Sequence, residues 1–94
     1  MSDWRLAQDK DTQRLAQVHT FSMIRKQGEQ EIEFLITVKE YITPAVPTMR
    51  FFAQSDKYTN QKGVPFLPSG WGNSLLTALS ECMRAVEKFP YEGD

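Results

Sequence analysis

The chain has 94 residues, less than one ordinary domain length, so it holds a single core and no second folding unit. Eleven Lys and Arg stand against twelve Asp and Glu, a formal charge of −1, with 40% hydrophobic residues. That balance excludes a disordered tail, and no apolar run approaches the roughly 18 residues of a membrane span. Met1-Ser2-Asp3-Trp4-Arg5 lacks the apolar stretch of a signal peptide, and the lone Cys82 leaves no internal disulfide; together they predict a reducing, cytoplasmic home.

Residues 1–14 are polar and broken by charge, with Trp4 and Leu6 the only large apolar groups, and predict an irregular arm ahead of one domain over 15–94. The clearest local signal follows. Ile32, Phe34, Ile36 and Val38 alternate with polar residues at strand period, and Leu15 to Lys26 upstream is equally compatible with a strand. Gly28-Glu29 between them suits a two-residue type II′ turn, which fixes the register. Met23 then faces Phe34, Phe21 faces Ile36 and His19 faces Val38 on a mostly apolar side. Lys26–Glu31, Ile24–Glu33, Thr20–Thr37 and Val18–Lys39 pair on the other side, where opposite charges and paired threonines are favourable neighbours.

Pro44 and Pro47 cannot donate to a ladder and predict a bend. Thr48 to Gln54 alternates again, with Met49, Phe51 and Ala53 inward. Residues 55–63 read as a polar surface loop, and 64–67, flanked by prolines, as an edge strand at best. One helix follows, capped by Asn73 or Ser74 and stopped by Pro90. Leu75, Leu76, Ala78, Leu79, Cys82, Met83, Ala85, Val86 and Phe89 fill one half of its wheel, with Leu79 at the centre. The expected fold is α+β, a two-layer sandwich: an antiparallel sheet of three or four strands with one C-terminal helix on one face.

Little here suits catalysis. His19 is the only histidine, and Cys82 falls in the buried helix stripe, where a thiol is inert. Glu31 and Glu33 share the outer sheet face beside Lys26 and Lys39, a solvated arrangement without the desolvation an acid–base pair needs. No Cys/His spacing suits a metal, no cofactor is implied, and the expectation is a non-enzymatic protein. Gly70, Gly72, Asn73 and Ser74 precede the helix and form a candidate anion site, if the two glycines turn their amides into a nest; the alternative is a sharp turn with Trp71 plugging the end of the sandwich.

The sheet face away from the helix is the most informative feature. It carries Val18, Ile24, Leu35, Tyr41 and Phe52, an apolar surface broader than scattered exposure. One expectation is a protein–protein module, most simply a homodimer, joined through this face or a strand edge. The alternative is a single-stranded nucleic-acid binder, with Tyr41, Phe52 and Tyr58 stacking bases and Lys39, Arg50, Lys57 and Lys62 following phosphates. The net charge of −1 argues against the second, since nucleic-acid domains usually carry a basic excess. A third possibility is that the arm folds over the face through Trp4 and Leu6.

Overall fold

The computed structural model describes residues 4–10, 12, 14–42 and 48–92. The bend expected at Pro44 and Pro47 lies outside them. Two long strands, β1 (Ala16–Gln27) and β2 (Gln30–Tyr41), form the expected hairpin. The pairing runs from Gln27↔Gln30 to Ala16↔Tyr41 in the register that the two-residue turn dictates. Gly28 supplies φ 63° at the turn, a value that any side chain would make costly.

β3 (Phe51–Ser55) joins β2 along Ile36–Glu40 only. The chain then leaves the sheet for a separate two-stranded hairpin, β4 (Thr59–Gln61) and β5 (Val64–Phe66). This corrects the reading of 55–63 as loop and of 64–67 as an edge of the main sheet. Lys62 and Gly63, both at positive φ (48° and 87°), make its turn. The chain returns as β6 (Ser69–Gly72), antiparallel to β3, so the main sheet runs β1-β2-β3-β6. The fold is α+β, with α1 (Leu75–Lys88) packed on one side.

Ser74 is the helix cap: its hydroxyl accepts from the Thr77 amide at 3.1 Å, satisfying one orphan donor of the first turn. The buried line of α1 is Ala78, Cys82, Ala85 and Val86. The stripe is therefore narrower than half the wheel. Leu76 is 73% exposed, Met83 is exposed too, and Leu79 lies only half-buried at the flank. The reason is close approach. Gly70 and Gly72 face the helix, and a Cβ on Gly70 would stand 2.6 Å from the Ala78 carbonyl oxygen and 2.7 Å from the Cys82 amide. Small residues on both sides of this seam let the helix lie almost on the strand. Phe34, Ile36, Val38 and Val86 fill the rest of the core.

The helix covers β6 and β3 and reaches β2, leaving β1 largely outside its span. The far half of the hairpin is held instead by the C-terminal segment. Arg25 Nη1 donates to the carbonyls of Val86 (2.8 Å) and Phe89 (2.7 Å), closing the helix end. Gln27 exchanges two hydrogen bonds with the Tyr91 backbone, and the Tyr91 ring meets Phe34 edge-on at 5.9 Å. Phe89 meets Phe66 of β5 at 5.0 Å, and the Asn60 amide donates to Pro90. The outcome is elongated, 48 × 25 × 22 Å, and its 6612 Å² of accessible surface exceeds the roughly 5,600 Å² expected of a compact chain of this mass.

Candidate functional site

Alternation along the strands sorts the side chains between two faces, and the registers then align the outer ones in rows. Val18, Lys39, Phe52 and Trp71 form one row across all four strands of the main sheet. Tyr41 and Arg50 lie one step along, linked by the hydrogen bond from the Tyr41 amide to the Arg50 carbonyl. Thr20, Thr37, Gln54 and Ser69 make the row on the other side. These three rows hold two cations and no carboxylate. The acids Glu31 and Glu33 lie farther along the hairpin, where Ser22 Oγ donates to Glu33 at 2.6 Å.

The expected interaction residues all belong to this open face. Val18 is 53% exposed, Ile24 63% and Leu35 41%, so the arm does not hide them. Trp4–Ala7 forms a short 3-10 turn that flanks the start of β1, where Gln8 Oε1 accepts from the Leu15 amide. Trp71, expected as a plug at the end of the sandwich, stands instead in β6 on the open face, 44% exposed, with its ring 4.5 Å from Phe52. Its alternation with Gly70 and Gly72 is a strand signal that the glycines disguised.

The nucleic-acid set divides. Lys39, Tyr41, Arg50 and Phe52 come together around Trp71. Lys57 is tied down, its ammonium donating to the Glu33 carbonyl (2.7 Å) and to Asp56 (3.1 Å). Tyr58 and Lys62 belong to the β4–β5 region, beside a shallow cleft that also takes in Asn60 and Glu92. Of the candidate anion-site residues, only Asn73 and Ser74 form the bend into the helix. Gly70 and Gly72 are extended within β6 and pressed on α1, while Ser74 is engaged with Thr77.

The edge strands differ in protection. A two-residue turn makes Gln27 and Gln30 exchange both backbone hydrogen bonds, so Val18, Thr20, Ser22, Ile24 and Lys26 turn their amides and carbonyls away from β2. Beyond the end of β3, the corresponding outer edge of β2 is closed. The Asp56 amide donates to the Leu35 carbonyl, and Asp56 Oδ1 accepts from the Leu35 amide, both at 3.0 Å. Lys57 blocks Glu33 in the same way. Among the described residues, the outer side of β1 from Val18 to Lys26 has no such cover.

His19 and Cys82 have different partners. His19 Nε2 lies 3.5 Å from Glu40 Oε1, whereas Cys82 Sγ approaches the Pro68 carbonyl at 3.6 Å. Burial pushes the Cys82 thiol up to about 11 from its ordinary 9.0. Ellman's reagent at pH 8 should therefore label the folded protein on the order of 100-fold more slowly than the urea-unfolded chain. The unfolded thiol ionises first, so stability holds below pH 9 and falls as the pH climbs toward 11. Equal labelling of both states would place the thiol in solvent. No cluster of three or more metal-ligating side chains occurs among the described residues, and no helix there is long and apolar enough to cross a membrane.

No family model, curated protein or solved structure matches the chain.

Proposed function

We propose that this chain is a non-enzymatic interaction module that works as a homodimer, two copies joining edge to edge through β1. The observation that carries the reading is the state of that strand: twelve residues at a sheet edge, with Val18 and Ile24 on one side, Phe21 and Met23 on the other, and an edge left uncovered among the described residues from Val18 to Lys26. Natural sheets shorten, bend or charge such an edge unless something pairs with it. Val18 and Ile24 are exposed on the open side, while Phe21 and Met23 are only half-buried on the other. Beside Met23 an open groove runs to Ser80 and Met83 of α1.

The strand is also self-complementary. Laid antiparallel on a second copy about a twofold axis at Phe21, it sets Val18 against Ile24, Thr20 against Ser22 and His19 against Met23, with no like charges opposed.

Sedimentation equilibrium tests the reading: dimerisation is expected, and a strict monomer at about 500 µM overturns it. The register has its own test. Ile24→Lys faces Glu33 within its own chain, so it should fold normally yet raise the dissociation constant about tenfold or more by burying a charge against Val18 of the second copy. Adding Val18→Glu, which faces Lys39 in its own chain, gives each new ammonium a carboxylate across the axis and should recover most of the loss. A double variant as weak as Ile24→Lys rejects this register.

A further inference from the structure

We infer that the corner of the open face built on Phe52 and Trp71 is a stacking site for the bases of single-stranded nucleic acid. It lies within one copy of the chain and goes beyond the dimer reading, because edge pairing through β1 leaves this face open. An oligonucleotide titration therefore reads it whether or not the edges pair.

The argument starts from the register. Strands stand about 4.8 Å apart, so residues in one cross-strand row project side by side from a nearly flat surface. In this chain that puts Phe52 and Trp71 in neighbouring positions, their ring centroids 4.5 Å apart at a 41° tilt. Even with Phe52 against it, Trp71 shows 44% of its surface to solvent. Every base has a π face, and an exposed aromatic platform is the general means of holding one without reading its sequence. Tyr41 adds a third ring one step along the strand.

Charge selects the ligand class. Lys39 stands directly opposite Phe52, and Arg50 bonds through its backbone to Tyr41, so each cation sits beside a ring. A single strand presents this alternation, a planar base beside an anionic phosphate at each nucleotide. The formal charge of −1 is compatible because charge is segregated: Asp56, one row beyond Gln54, is engaged by the Leu35 amide and the Lys57 ammonium, the carboxylates Glu31 and Glu33 lie farther along the hairpin, and Glu40 points to the opposite face beside His19. The uncharged row of Thr20, Thr37, Gln54 and Ser69 offers donors and acceptors to base edges, the groups that a splayed strand leaves unpaired. A duplex hides its base faces, and an acidic peptide has phosphate-like charge but no planar groups to stack.

The test uses the whole chain and a fluorescein-labelled oligothymidylate of about 12 nucleotides, read by anisotropy. Binding is expected at low salt, with log K falling against log salt at a slope of about −1.4, the value for two phosphate contacts on a single strand. Trp71→Ala should weaken binding at least tenfold. Lys39→Gln with Arg50→Gln should abolish most of the salt dependence while leaving the ring pair and the thermal melt intact, which keeps the test valid if Trp71→Ala unfolds. Lys62→Gln, in the β4–β5 turn, should change nothing. No binding at about 20 mM salt overturns the inference. So does equal binding of a duplex or of polyglutamate, or a salt slope unmoved by the Lys39 and Arg50 changes.

Discussion

Gly70→Ala is expected to destabilise the protein by about 3 kcal/mol, at the upper end of the cost of overpacking. In an ordinary strand the same change stabilises, by roughly 0.4 to 1 kcal/mol, because alanine has fewer unfolded conformations to lose. Here the added methyl meets the Ala78 carbonyl oxygen and Glu81 Cβ at 2.6 Å and the Cys82 amide at 2.7 Å. Two of these three are helix backbone, which cannot swing aside as the end of a side chain would. The helix must lift, and the Ala78–Cys82 line that packs on Ala53 lifts with it. For a domain of this size the loss corresponds to a melting point lower by about 12 to 24 °C. Gly28→Ala makes the contrast: nothing lies within 4 Å of its Cβ, and only the φ of 63° is disturbed. A calorimetric scan in which Gly70→Ala melts no lower than Gly28→Ala would reject the close seam.

Arg25→Met should cost about 2 to 4 kcal/mol, read as a lower urea midpoint at unchanged slope. One guanidinium nitrogen holds two carbonyls, those of Val86 and Phe89, where the helix dipole is negative and no further residue of α1 can donate. Methionine keeps the stem that packs along the strand but leaves both oxygens without a partner. Arg25→Lys should recover only part of the loss, since the ammonium sits on a shorter stem and gives up the Nε contact with Glu87 at 3.8 Å. Amide exchange should quicken through residues 86–91 before it does in the Ile36–Val38 core. Uniform quickening in both regions would mean that the contact is part of the global fold rather than a local clamp.

The elements that sequence pattern foretells are those whose causes are local. The β1–β2 register follows from Gly28 and strict alternation, because a slip of one residue would exchange the core face for the solvent face. The helix announces itself through Ser74, its amphipathic period and Pro90. β6 stayed hidden because Gly70 and Gly72 read as turn punctuation when viewed alone, whereas their purpose is the helix backbone that comes to rest on them. Trp71 reads as part of that turn for the same reason, although β6 sets it beside Phe52 on the open face. The β4–β5 hairpin left little trace, since Lys62 is not a residue whose presence signals a left-handed turn. Arg25 looks like a flaw in an apolar stripe until its partners, 61 and 64 residues onward, are known.

Leu79 shows the limit of amphipathic reasoning. Wheel geometry places it at the centre of the stripe, but a face is centred by what it meets. Glycines on β6 draw the helix in along its smallest residues, so Ala78 and Cys82 take the middle and the leucines move to the sides.

The clamp that ties Arg25 and Gln27 to the segment from Val86 to Tyr91 has a consequence for biosynthesis. Val86 and Tyr91 follow the end of the β1–β2 hairpin at Tyr41 by about 45 to 50 residues, so the hairpin leaves the ribosome before they do. Phe34, fully buried in the finished protein, then waits for Val86 and Tyr91 to be translated before it has a lid. Through that interval the nascent hairpin carries uncovered aromatic and aliphatic surface along its far half, the kind of surface that chaperones bind.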